Sequence, residues 1–212
     1  PKLVGGPNIW CPMTSTYNHD DAEERRAAGE ILWWYICTVP KRPYAGMFID
    51  HPGTDLRIWL WQTWKYKVTG LLFWTTTLWS TGVAYPDHPQ NPYEDPMGWK
   101  SNPYVAGARE PWGNGDGRFV YPPEAAGGVA TEPILDGPVA CVRMEMLRDG
   151  IEDYEYMVML QRLLDEKGDA LSSRMKRRYQ RLLEVPDSIS ADLVTYTKDP
   201  APIEKHRARV AE

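Results

Sequence analysis

Residues 31–79 read ILWWYICTVP (31–40), DLRIWLWQTWKYK (55–67) and GLLFWTTTLW (70–79), and their order decides the fold. The first and last blocks are short apolar, aromatic runs of strand length. The middle block has helical spacing: Leu56, Trp59, Leu60, Thr63 and Trp64 form one stripe, and Ile58 and Trp61 form a second. It is therefore expected to be a helix buried on more than one side, with Thr54 as its cap. The run at 31–38, continuous in apolar residues, is expected to be buried on both faces, as in a parallel sheet covered by helices. The loop at 39–53 carries three prolines, which hold a fixed shape at low entropic cost.

Upstream, residues 8–11 (NIWC) read as a short strand ended by Pro12. A helix is expected from Asp20 or Asp21, acids first and Arg25 and Arg26 later, closed by Gly29. Strand, helix, strand, helix, strand is the pattern of repeated βα units, hence a parallel sheet or barrel. Downstream the chain changes character. Ten of its nineteen prolines fall in 82–138, together with Gly-Asn-Gly-Asp-Gly at 113–117. A segment this long without periodicity is functional or disordered, and its Trp99, Tyr104, Trp112 and Tyr121 argue against disorder. The Gly-Asp-Gly turn before Phe119, Val120 and Tyr121 predicts a short hairpin; one aspartate among glycines offers too few oxygens for calcium. The remainder reads as helices: 139–148, then 151–167 after a break at Asp149-Gly150, then 170–183, then one beginning near Ile203.

Composition bounds the function. Apolar residues at 42% and charged residues at 25% are ordinary for a globular chain of 212 residues, which is long enough for a real core. Ten Trp and twelve Tyr against three Phe are not ordinary. Those rings combine a flat apolar face with a polar handle, which suits sugar stacking as well as packing. The net charge of −5 gives no electrostatic reason to expect nucleic acid or an anionic membrane as partner. The basic cluster Arg174, Lys176, Arg177, Arg178 and Arg181 lies on an expected helix, as a solvated face. No apolar run is long enough to span a bilayer. Cys11, Cys37 and Cys141 form neither a disulfide framework nor a CxxC motif and are expected to be buried free thiols. The four histidines lack metal-ligand spacing, so neither a metal site nor a cofactor is predicted. Oligomeric state is not readable.

The search for chemistry points away from carboxylates and toward aromatics. Glycoside hydrolysis needs two carboxyl groups, or one plus a substrate acetamide, across the scissile bond. The adjacent acidic pairs, Asp20-Asp21, Glu23-Glu24, Glu152-Asp153 and Asp165-Glu166, all fall on expected helices, not at strand ends where a barrel places its chemistry. Arg143, Glu145, Arg148, Asp149, Glu152, Asp153 and Glu155 crowd one helix junction and read as a salt-bridge network, with Arg148 and Glu152 spaced to pair. Alternation puts Trp33, Tyr35 and Cys37 on one face of their strand and Leu32, Trp34 and Ile36 on the other. Trp74, Trp79, Tyr35 and Tyr44 fall at or beyond strand ends, where an aromatic ring can floor a sugar site.

Two blocks together carry a family resemblance. WWYICTVPKRPYAGMFIDHPGTDLRIWLWQTWKYKVTGLLFW (33–74) and GNGDGRFVYPP (113–123), followed by GPVACVRMEMLRDGIEDYEYMVML (137–160), resemble segments of glycoside hydrolase family 123, the N-acetyl-β-galactosaminidase-like proteins. The likeness spans about residues 8–165, in order and spacing. It implies an α/β fold, the C-terminal portion of a (β/α)8 TIM-type barrel followed by a helical C-terminal region. Residues 1–138 would supply the last strands, helices and long loop, and 139–212 the closing helices, in a piece of a longer chain. It further implies retaining hydrolysis of β-linked N-acetylhexosaminides with substrate assistance, and a carbohydrate partner. The family's adjacent Asp-Glu pair lies on an earlier strand that no residue here matches, so no catalytic residue is assigned. The binding half is carried over: Tyr35 as donor to the acetamide oxygen and Trp74 as sugar floor, with Trp10, Trp34, Tyr44 and Trp79 as further walls. Secretion or a periplasmic location is what the family suggests; the sequence itself gives no localisation. The competing expectation is a carbohydrate-binding or scaffold protein that keeps the barrel without the chemistry.

Overall fold

The computed structural model describes residue 3, residues 5–124 and residues 132–212; part of the Pro-rich segment, 125–131, lies outside the described residues. Three short strands, β1 (Ile9–Trp10), β2 (Ile31–Tyr35) and β3 (Gly70–Leu72), form one parallel sheet in sequence order. Helices α1 (His19–Ala27) and α2 (Thr54–Lys65) make the two crossovers. Register pairs Ile9 with Ile31, Trp10 with Leu32, Trp33 with Gly70 and Tyr35 with Leu72. The expected repeat of βα units is present.

The sheet is covered on one face only, which corrects the expectation of burial on both. Leu32, Trp34 and Ile36 are buried, whereas Ile31, Trp33 and the paired Ile9 and Leu72 are exposed. The reason is where the helices lie: Trp34 and Ile36 pack with Leu56, Trp59 and Leu60 of α2. The Trp34 Nε1–H donates to Thr63 Oγ1 at 3.1 Å, and the Thr63 hydroxyl donates to the Trp59 carbonyl at 2.7 Å. Nothing among the described residues plays that part on the opposite face.

Helix α2 is buried from Asp55 to Thr63 because it separates two cores. Its second stripe, Ile58 and Trp61, packs with Met157, Leu182, Ile189, Ile203 and Val210 of the C-terminal helices. Thr54 does not cap it: Gly53 stands at the N-cap, and the Thr54 hydroxyl donates to the Lys198 carbonyl at 3.2 Å. Helix α1 is capped by Asn18, whose side chain accepts from the Asp21 N–H, and Gly29 follows at φ +79°.

The helix expected to break at Asp149-Gly150 is one helix, α3 (Val142–Lys167). Gly150 is there for contact rather than for a turn. A Cβ on it would lie 3.1 Å from the Arg57 Cα and 3.1 Å from the Leu60 Cγ, so its absence lets α3 lie close against α2. Alongside, Arg57 grips Asp153 through Nε at 2.6 Å and a second nitrogen at 3.1 Å, while Trp61 Nε1 donates to the same carboxylate at 2.8 Å. Of the crowded junction only Asp153 joins this buried fork, whose arginine comes from α2. Arg143 binds backbone carbonyls, Arg148 pairs with Glu145, and Glu152 pairs with Arg207.

A 3-10 turn (Gly168–Ala170) leads into α4 (Ser173–Leu182), α5 (Asp187–Ser190) and α6 (Ala201–Ala211). Arg174, Arg177, Arg178 and Arg181 are exposed on α4, as a solvated face. The three cysteines are free but half-buried rather than buried.

The Pro-rich segment contains a hairpin the sequence does not announce, β4 (Met97–Ser101) with β5 (Arg109–Asn114). The 115–117 turn connects β5 to β6 (Val120–Tyr121), and β6 pairs antiparallel with β7 (Val139–Ala140) rather than folding back on the strand before the turn. The chain is thus mixed α/β with a helical C-terminal region, and among the described residues no helix is long and apolar enough to cross a membrane.

Candidate site at the ends of the parallel strands

In a parallel sheet the loops leaving the strand C-termini gather at one end, where α/β folds place their ligands. Here those loops are 36–53 after β2 and 73–96 after β3. The first is tied to the 113–117 turn: the Ile49 N–H donates to the Asn114 carbonyl at 3.0 Å, and the Asn114 amide donates to Asp50 at 3.1 Å. Arg143, on the first turn of α3 and 6% exposed, fastens the assembly by donating to the carbonyls of Met47, Gly115 and Arg118.

The register sorts the aromatic candidates. Tyr35 ends β2, half-buried, paired with Leu72 and bridged to Met13 on its other side. Pairing places Trp33, Tyr35, Gly70 and Leu72 on the uncovered face, and the Trp33 indole lies across Gly70, where a Cβ would fall 2.3 Å from its Nε1. Trp74 stands two residues past the end of β3 and is 46% exposed. Its Nε1–H donates to Asp116 Oδ1 at 3.0 Å, and Trp112 meets it edge-on with ring centres 6.3 Å apart. Trp79 is 38% exposed and donates to the Val120 carbonyl at 2.7 Å. Tyr44 is half-buried in the β2–α2 loop.

Two expected wall residues are elsewhere. Trp34 is fully buried against α2, and Trp10, paired with Leu32, belongs to the same helix-covered side. Trp10 lines a cleft with Cys11, Tyr17 and Arg25, and its indole N–H bonds Glu30. The side-chain period of two separates both from the Tyr35 face.

The carboxylates behave as structure. The four adjacent acidic pairs lie on α1 and α3. Two buried aspartates stand out. Asp55 is 0% exposed, and burial pushes its pKa up to about 6 against the hydrogen bond from the Gly46 N–H. Asp116 is also 0% exposed, and burial raises its pKa against the bond from Trp74 and the charges of Arg118 and Arg143. Neither presents a carboxyl group to solvent, so neither can protonate a bound glycoside. Burial lowers the pKa of His51 and of His206, whose Nε2 lies 2.8 Å from the Leu182 carbonyl, which makes that nitrogen the donor. Among the described residues no three His, Cys, Asp or Glu side chains gather as metal ligands.

Sequence reasoning places Trp33 on the Tyr35 face without giving it a role, and misses Asp116 and Arg143 as parts of this end of the sheet. Only Asp116 carries a signal: an acid between two glycines in a turn. Its partner, 42 residues away, is not readable from the chain.

The family model "Glycoside hydrolase 123, catalytic domain" matches residues 7–160. Among solved structures, a family 123 glycoside hydrolase from Clostridium perfringens, described for glycolipid glycan hydrolysis, superposes with a TM-score of 0.57 at 17% identity. That alignment covers 94% of this chain and 31% of the other, so this chain spans about a third of that protein's length. The comparison with curated proteins returned no match.

Proposed function

The chain belongs to glycoside hydrolase family 123, and from that premise we propose that it forms the sugar-binding end of a barrel glycosidase acting on β-linked N-acetylhexosaminides, N-acetylgalactosaminides first. In this reading residues 1–138 supply the last strands and loops of a (β/α)8 barrel, and 139–212 form the helical region that closes it. Three parallel strands with helices on one face and a bare apolar opposite face support it, since the bare face is what a barrel turns inward.

The observation that carries the reading is Trp74. It is a half-exposed tryptophan just beyond a strand end, anchored by its N–H and presenting ring surface to solvent. Its apolar face can stack on the C–H face of a hexose. Tyr35 ends the neighbouring strand, and its hydroxyl is assigned as donor to the oxygen of the substrate's 2-acetamido group. Tyr44 and Trp79 extend the wall.

The chemistry is substrate-assisted retention. The acetamide oxygen attacks the anomeric carbon as the glycosidic bond breaks, and a carboxylic acid protonates the leaving oxygen. The same group, now a carboxylate, takes a proton from the water that reopens the cyclic intermediate. The residues here bind and orient; the acid–base pair is assigned to a strand outside them. A hydrogen bond at the acetamide and a ring beneath the sugar restrict it to conformers from which that oxygen can reach C1.

In the full-length enzyme, Trp74→Ala is expected to lower kcat/KM on a chromogenic β-N-acetylgalactosaminide about a hundredfold, from lost stacking and orientation. An unchanged rate removes Trp74 from the site.

A further inference from the structure

The 113–117 turn has no role in that chemistry, yet it runs directly under Trp74. Gly115 and Gly117 take φ +78° and +72°, the left-handed region open to glycine, so the chain reverses on both sides of Asp116. A Cβ on Gly117 would lie 3.1 Å from Trp74 Cζ2, 2.7 Å from Thr75 Cγ2 and 3.0 Å from Leu78 Cβ, so the bare backbone packs against the indole flank. The turn is stitched to the same segment. Leu78 N–H donates to the Gly117 carbonyl at 2.8 Å, and Phe119 N–H donates to the Thr76 carbonyl at 2.9 Å. Arg143 holds the carbonyls of Gly115 and Arg118 from behind.

We infer that Asp116 is a positioning residue for sugar binding, which fixes the Trp74 ring as a floor through the Nε1–Oδ1 bond while touching no substrate itself. This rests on the reading of Trp74 as that floor. Three features distinguish it from an ordinary buried aspartate. Its carboxylate is wholly enclosed, at 0% exposure, while the side chain it holds is 46% exposed. Its Oδ2 has no hydrogen-bond partner among the described residues, and the Trp74 indole N–H is the leading group that favours the carboxylate, ahead of the Arg118 charge and the Gly117 N–H. And Arg118, likewise 0% exposed, donates to the Asp116 carbonyl at 3.3 Å and to Gln90 at 3.1 Å and makes no hydrogen bond to the carboxylate, on which it acts by charge alone.

A half-exposed tryptophan without a fixed N–H partner can rotate about two side-chain torsions. Holding the N–H removes that freedom before the sugar arrives, which is the energetic meaning of preorganisation. The net contribution of one hydrogen bond sets the scale: about a tenfold weakening of sugar binding.

The test is a mutant cycle in the full-length enzyme, read as KM and kcat on the chromogenic glycoside and as affinity for free N-acetylgalactosamine. Asp116→Ala is expected to raise KM and the sugar Kd about tenfold, and Asp116→Asn, which keeps an acceptor oxygen, to recover most of it. Trp74→Phe removes the N–H and keeps a ring; on that background Asp116→Asn or Asp116→Ala should change Kd less than about twofold. Should Asp116→Ala fail to fold, Asp116→Leu, close in shape and without an acceptor, takes its place in the cycle with Trp74→Phe, and its loss must vanish on the Phe background. Equal losses on both backgrounds would mean that Asp116 supports folding alone, and overturn the inference. Sensitivity to Trp74→Ala without sensitivity to any Asp116 variant would overturn the inference and leave the floor reading standing. Insensitivity to Trp74→Ala would overturn both.

Discussion

Asp55 shows how a single buried carboxyl makes this fold answer to pH. Its Oδ2 accepts from the Gly46 N–H at 3.2 Å and the Tyr196 hydroxyl at 3.3 Å, and its Oδ1 has no partner among the described residues. His51 Nδ1 stands 3.3 Å away without hydrogen-bond geometry, and burial keeps that imidazole's pKa low, so it offers little positive charge near neutrality. Desolvation therefore dominates, and the folded pKa of about 6 exceeds the ordinary 3.8. The folded state binds the proton more tightly, so the stability this group contributes is full below about pH 4 and falls as pH rises through about 6. The loss amounts to roughly 2 to 3 kcal/mol. Asn at this position keeps an acceptor and cannot ionise. The stability of Asp55→Asn relative to wild type, from urea unfolding, should thus grow by roughly 2 kcal/mol between pH 4 and pH 7.5. A constant difference would show that the Asp55 carboxyl titrates alike in the folded and unfolded chain, so that burial does not raise its pKa. At this same scale the sequence is a partial guide to the candidate site. Tyr35 and Trp74 stand out by their place after apolar runs, but Trp10 and Trp34 look no different there. Only pairing with Leu32 and contact with α2 put those two on the covered side.

Helix α2 is the most legible element, because its two apolar stripes report two packing partners directly, and both cores are present. Helix α3 is misleading at Asp149-Gly150, since an Asp-Gly pair is a common turn signal. The competing cause is long-range: Gly150 sits where the Arg57 backbone of α2 passes, 93 positions earlier in the chain. The β4–β5 hairpin escapes sequence reading for a related reason, as Met97–Ser101 lacks alternation and bulges between Gly98 and Trp99. The α2–α3 contact makes a graded prediction. Gly150→Ala gains about 1 kcal/mol of helix propensity and places a methyl group 3.1 Å from the Arg57 Cα, a mild compression, so its net effect on stability should stay within about 1 kcal/mol. Gly150→Val adds two more methyl groups at the same crossing, where the backbone cannot yield as a side-chain tip would. It should destabilise by about 2 to 3 kcal/mol in thermal or urea unfolding. Equal tolerance of both would mean that the helices separate freely and that the glycine is not what sets their distance.

On the scale of the molecule, the decisive asymmetry is between a completed helical side and a bare sheet face. Ile9, Ile31, Trp33 and Leu72 project from one face of three parallel strands and are 48%, 44%, 36% and 40% exposed. Contiguous apolar surface of this kind is uncommon on a finished monomer and marks a surface meant to be covered. Among the described residues the strands β1 and β3 also leave an unpaired edge each, which invites association. Expressed alone, these 212 residues should therefore bind a hydrophobic dye such as ANS and self-associate. They should also fail to hydrolyse a chromogenic β-N-acetylgalactosaminide. The second expectation has its own cause: the adjacent acidic pairs sit on helices, and the two buried aspartates with raised pKa values are shut from solvent, so among the described residues no adjacent acidic pair stands at the strand ends. The two measurements separate the hypotheses. Dye binding without hydrolysis, reversed on addition of the remainder of the barrel as a separate chain with recovery of turnover, is the result expected of an enzyme divided between two segments. Reversal of dye binding without turnover would favour the carbohydrate-binding protein that keeps the barrel and lacks the chemistry. Hydrolysis by the 212 residues alone would put the acid–base pair within them and overturn its assignment to another strand.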